Sequence, residues 1–252
     1  MASAKSIIVW GDSILKGIVS SEDLKEIRPA EENALKLACD ELGIELLNKS
    51  IYGAPITKIQ QTQKKNLAKN LTADICLIES ATNDSDYEWT QVAGAGGDLS
   101  AGVAGGEVSV GGAPINGEIK PKVPFEDFKR IVNEVVLSAR DAGITPVLVT
   151  STPLVTDWWF DYICIGLDRK KILDFIGGDI ERLGRNQQKY SDYIKEYAES
   201  NKIQLIDLRA EFIKAPDTRA LMCKDGVHPN LDGHKFMAKI FKREIPRLEI
   251  RR

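Results

Sequence analysis

The chain has 252 residues, enough to bury a sizeable core without metal or disulfide staples, and one domain is the expectation at this length. Hydrophobic residues make up 43% and charged residues 28%, with a mean hydropathy of -0.21, which excludes a disordered segment and a membrane span. With 34 basic against 37 acidic residues, a formal net charge of -3, no positive excess exists to hold a nucleic-acid backbone or an anionic lipid surface.

The first residues lead directly into the apolar run 6–10. That run is too short for a signal-peptide core and matches a first strand, so a cytoplasmic protein is expected. Further β-rich apolar runs follow: the strands are predicted at residues 7–9, 44–47, 75–78, 147–149 and 203–206, each giving way to turn or polar residues. Between them Phe125, Phe128, Ile131, Val132, Val135 and Ala139 recur at helical spacing, as do Ile180, Leu183, Tyr190, Ile194 and Tyr197. Phe236, Met237, Ile240 and Phe241 form a last amphipathic stretch. This alternation predicts an α/β fold, a three-layer α/β/α sandwich around a five-stranded parallel sheet.

Residues 93–117 break the pattern with nine of the 20 glycines and read as a loop or loose hairpin, with Val108 to Val110 and Asn116-Gly117 as a candidate ribbon. It lies near the expected cleft, as a lid or as a tolerated insertion. Cys39, Cys76, Cys164 and Cys223 are far apart and read as reduced core thiols. Two histidines, neither at zinc-like spacing to a cysteine, give a metal site no support.

In open parallel sheets ligands sit beyond the carboxyl ends of the strands, so the residues after each run are the ones to inspect. Ser13 follows the first strand and Gly11-Asp12, and opens a short helix predicted over 14–19. It is a candidate nucleophile, and it equally fits a plain helix cap. His228 is the better of the two histidines as its base, and Asp225, three residues earlier, can fix the ring tautomer. Asp-Gly and His-Pro also fit an ordinary turn. His234 reads as a helix-face residue. The Ser13 and Gly53 amides and the Asn83 side chain are candidate donors to an oxyanion.

Together, Gly11-Asp12-Ser13, Gly53, Thr82-Asn83-Asp84 and Asp225-Gly226-Val227-His228-Pro229, in this order over essentially the whole chain, resemble the four blocks of the SGNH hydrolases, the GDSL esterase and lipase superfamily. The resemblance implies a flavodoxin-like sandwich, a Ser13, His228, Asp225 triad, an oxyanion hole of Ser13, Gly53 and Asn83, and no cofactor. It departs from the family pattern at Ala81, where a glycine is usual, and at Ile14, where leucine is common. Ala81 matters only if its backbone needs a positive φ or very close packing. Asp12 and Asp84 are expected to hold their loops through local hydrogen bonds.

Trp158 and Trp159, in the run 158–162 after the fourth strand, are candidate substrate-binding rings, with core or dimer packing as the alternative; the same cluster hints at a homo-oligomer. The expected activity is a serine esterase acting on a small acyl ester or an acetylated carbohydrate. An acyltransferase on the same site and a catalytically silent binding module are the alternatives. A phosphoacceptor domain is disfavoured, because the third strand ends in Glu79-Ser80 and the fifth lacks the lysine such a domain needs.

Overall fold

The structure, a computed structural model, describes residues 4–93 and 119–250. Strand β1 (Ser6–Trp10) leads to α1 (Ser13–Lys16) and an antiparallel ribbon of β2 (Ile18–Ser20) and β3 (Ile27–Pro29). Next come α2 (Ala34–Leu42), β4 (Glu45–Asn48), α3 (Ile56–Leu67), β5 (Ile75–Glu79), α4 (Thr82–Ser85) and α5 (Trp89–Ala93). The second half holds α6 (Phe125–Asp141), β6 (Thr145–Val149), α7 (Thr156–Ile163), α8 (Arg169–Phe175), α9 (Glu181–Ser200), β7 (Gln204–Ile206), α10 (Leu208–Lys214) and α11 (Leu231–Glu244). The Gly-rich stretch read as a loop lies, beyond Ala93, outside the described residues.

All five predicted strands pair in parallel in one sheet, in the order β4-β1-β5-β6-β7. Counted along the chain this is the flavodoxin-like order, and the direction of winding reverses at β1, between β4 and β5. Alternation along each strand sends side chains to both faces. Ile7, Val9, Ile75, Leu77, Val147 and Val149 pack with α2 and α11 on one face, and Ile8, Trp10, Cys76, Ile78 and Leu148 with α3, α6 and α9 on the other. Both layers are buried, which explains why β1, β5 and β6 read as continuous apolar runs. No helix among the described residues is long and apolar enough to cross a membrane.

Two features depart from expectation. The helix predicted over 14–19 stops at Lys16, because Gly17 takes a left-handed φ of 84° and the Asn33 side chain donates to the Lys16 carbonyl at 2.6 Å. A Cβ at Gly17 would lie 1.9 Å from that amide nitrogen. Ile18 and Val19, which read as helix, therefore start the β2-β3 ribbon. The second feature is a satellite core in which Trp89 and Ala93 of α5 meet Phe160, Ile163, Ile172 and Leu183. Apart from α9, which supplies Leu183, its helices are short, so their periodicity in the sequence was too brief to separate them from loops.

Candidate active site

Ser13 is the first residue of α1, directly beyond β1 at the reversal of winding. Asp12 caps this helix by accepting from the Ile14 N–H at 2.8 Å, which fixes the turn after Gly11 that presents Ser13. The loop after β4 is tied to the same turn, since the Ile51 N–H donates to the Gly11 carbonyl at 3.0 Å, and it carries Gly53 in a left-handed conformation. Among the described residues the N–H groups of Ser13 and Gly53 have no partner.

The closing segment comes from the other end of the chain. His228 Nε2 lies 2.9 Å from Ser13 Oγ, and His228 Nδ1 lies 2.8 Å from Asp225 Oδ2. Asp225 Oδ1 also accepts from the Val227 and His228 N–H groups, at 2.9 and 3.0 Å. All three side chains are almost fully buried. Burial pushes the Asp225 carboxyl up, but the hydrogen bonds and charge of His228, with the two backbone donors, outweigh it and hold Asp225 below its ordinary value. An ionised Asp225 then fixes the tautomer with the proton on Nδ1, leaving Nε2 free to accept from the serine hydroxyl. Gly226, at φ 76°, lets this loop dock on α7: the Val155 N–H donates to its carbonyl at 2.8 Å, and a Cβ there would fall 2.4 Å from the Trp159 nitrogen.

Asn83 sits in α4, beyond β5, and its Nδ2 donates to Asp12 Oδ2 at 2.8 Å. One of its two amide hydrogens is thereby held, and among the described residues the other has no acceptor. Ala81 caps α4 with φ 122°, the positive value that a glycine would take without strain. Asp84 compensates: it accepts from the Ala81 N–H at 2.9 Å and from the Ile56 N–H at 2.7 Å, locking α4 to α3. Burial raises the Asp84 carboxyl to about 7. The expectation of purely local bonds for Asp12 and Asp84 is thus too narrow, since both reach across the chain to other blocks.

Trp158 and Trp159 stand on α7 and differ in surroundings. Trp158 lies under Arg219 and Lys224, whose charged groups are 4.3 and 4.0 Å from its ring. Trp159 lines a small cleft with Thr82, Ser85, Asp86, Leu154 and Leu183, beside the helix that carries Asn83. His234 is fully buried on α11, with its Nε2 3.5 Å from the Ile18 carbonyl. Two residues near the site were not singled out. Tyr52 stacks on His228 with ring centroids 6.1 Å apart, and its place beside Gly53 was the available signal. Glu79 is fully buried at the end of β5, where an acid closing an otherwise apolar strand is the clue.

A parallel sheet in flavodoxin-like order with a serine, an imidazole and a carboxylate in hydrogen-bonded series beyond its first strand defines a class of α/β proteins with hydrolase-type sites. Residues 9–236 match the family model of the GDSL-like lipase/acylhydrolase family, and the chain belongs to that family. Solved structures share the fold. A lipase/acylhydrolase from Enterococcus faecalis superposes with a TM-score of 0.60 at 14% identity, covering 98% of this chain and 99% of that one. A member of the lipolytic G-D-S-L family from Veillonella parvula DSM 2008 gives 0.62 at 16%, covering 96% and 99%. A catalytic mutant of an acetylxylan esterase from Geobacillus stearothermophilus gives 0.61 at 20%, covering 100% and 98%. No curated protein matches the sequence.

Proposed function

We propose that this protein is a serine ester hydrolase that cleaves small acyl esters, with acetylated carbohydrates as the substrate class to test first. The observation that carries this reading is the series Ser13 Oγ, His228 Nε2 at 2.9 Å and Asp225 at 2.8 Å from the far ring nitrogen. The acetylxylan esterase from Geobacillus stearothermophilus, similar in fold, motivates the choice of an acetylated sugar.

Ser13 Oγ attacks the acyl carbonyl carbon while His228 Nε2 takes the hydroxyl proton, and Asp225 stabilises the imidazolium. The carbonyl oxygen becomes an oxyanion that receives the Ser13 and Gly53 N–H groups and the unheld Asn83 hydrogen. The imidazolium then protonates the departing alkoxide, leaving the acyl group on Ser13. A water attacks that ester as His228 takes its proton, and collapse returns the proton to Ser13 and releases the acid.

Hydrolysis of short aryl esters and of acetylated xylo-oligosaccharides, by the intact protein and by Ser13→Ala, tests the reading. A loss of at least about 10^3-fold is expected in the variant, in line with the removal of a nucleophile from a coupled triad. Equal rates would take Ser13 out of the mechanism, and faster turnover of long-chain esters would reject the small-acyl assignment.

A further inference from the structure

The buried face of α9 carries a polar residue in an apolar row. Leu183, Tyr190, Ile194 and Tyr197 follow one another at helical spacing, and Gln187 stands in the same row, only 1% exposed. A buried amide costs stability unless its polar atoms find partners, and packing alone would favour an apolar side chain there. The partners of Gln187 come from the carboxyl edge of the sheet. Its Oε1 accepts from Arg209 Nη1 at 2.7 Å, and its Nε2 donates to the Thr152 carbonyl at 2.8 Å and to Thr82 Oγ1 at 3.0 Å. Arginine only donates and a carbonyl only accepts, so the amide has a single orientation and Thr82 is gripped as an acceptor.

We propose that Gln187 is a positioning residue for the oxyanion site: through Thr82 it holds the turn that aims Asn83. The inference rests on the ester-hydrolase reading. Helix α4 spans only Thr82–Ser85, too short to be stable by its own hydrogen bonds, and it starts at Ala81 with a φ of 122°, a conformation that persists only where neighbours impose it. Asp84 ties α4 to α3 on one side. On the other side α9 holds both of its ends, since Asn186 Nδ2 donates to the Ser85 carbonyl while Gln187 takes the Thr82 hydroxyl. Asn83 lies between these two anchors, with one amide hydrogen on Asp12 and the other open to an oxyanion. Releasing Thr82 frees the start of α4 while the Ser85 end stays in place, and a shift of about 1 Å is enough to spoil a preorganised donor.

Gln187→Met keeps the length of the side chain and removes its hydrogen bonds to Arg209, Thr152 and Thr82. On a short aryl ester kcat should fall about 10- to 100-fold, less than the loss of a whole oxyanion donor, while KM changes by less than about threefold. In an Asn83→Ala background the same substitution should cost less than about twofold, because the group it aims is gone. An equal loss in both backgrounds, the mark of a merely structural role, would overturn the proposal, as would full activity of Gln187→Met. Circular dichroism follows folding in each variant. If Gln187→Met does not fold, Thr82→Val, which removes the hydroxyl on the other side of the bond, takes its place in the same cycle. A readout independent of turnover comes from proton–nitrogen NMR, where the Asn83 side-chain amide is the pair of peaks missing from Asn83→Ala. Those peaks should shift or broaden in Gln187→Met or Thr82→Val. Unmoved peaks would overturn the proposal even if no ester were cleaved, whereas moved peaks in a protein whose wild type is inactive count against the hydrolase reading alone.

Discussion

The two sides of the candidate site treat buried carboxyls in opposite ways. In the closing segment Asp225 is fully buried and its pKa is held down, because an imidazole and two backbone N–H groups face it. Beyond β1 and β5, Asp12, Glu79 and Asp84 are just as buried and are pushed up, with backbone, hydroxyl and amide donors but no cation of their own. Burial supplies the same penalty in both regions, and the partner decides the charge. The two histidines near the chain's end also differ in their partners. His228 is paired with Asp225, whereas His234, six residues on, is buried with its Nδ1 unpartnered and is driven down to about 4 by desolvation.

The contrast can be broken first at its ionised member. Asp225→Asn keeps an acceptor for the backbone donors but turns an amide toward His228 Nδ1, which forces the wrong ring tautomer. We expect kcat on aryl esters to fall by about 10^3- to 10^4-fold with the fold intact, measured together with circular dichroism. A smaller loss, below tenfold, would mean that the charge of Asp225 is not what distinguishes the two regions.

A second test uses His234. The unfolded chain takes up its imidazole proton near the ordinary value, but the folded chain does so only at about 4, so stability falls as pH drops from about 6.5 to about 4. The span is worth up to about 3 kcal/mol. His234→Leu should flatten that part of the stability curve in denaturant titrations, with activity at neutral pH retained. An unchanged acid slope would assign the loss to other groups.

The smallest effect concerns Ala81. Its φ of 122° carries strain of about 1 to 3 kcal/mol, whereas its buried methyl contributes about 0.8 kcal/mol. Ala81→Gly should therefore stabilise the protein by about 1 kcal/mol, read from the denaturation midpoint, and leave kcat unchanged. A destabilised variant would show that the methyl packing outweighs the strain.

Ala81 also marks where reading the sequence runs out. Its type says nothing of φ, which is imposed by Asp84 pulling the Ala81 and Ile56 N–H groups together from two elements. The end of α1 is a similar case. Gly17 was visible, but the Asn33 amide that closes the helix reaches the Lys16 carbonyl from 17 residues away, so apolar spacing ran the helix on through Val19. Local pattern does not contain partners supplied by other parts of the chain.

The five strands, the three long amphipathic helices and the four motif blocks were legible in the amino-acid order alone, because alternating and helical periodicity record which faces are buried and because Ser13, Asn83, Asp225 and His228 have few substitutes in their chemistry. What only folding decided is protonation and contact: that Ser13 and His228, 215 residues apart, meet at 2.9 Å, and that Glu79 Oε2 receives the Asp12 N–H at 3.1 Å. Such facts depend on distance and desolvation in three dimensions, and a pKa is a property of surroundings that a linear string does not carry.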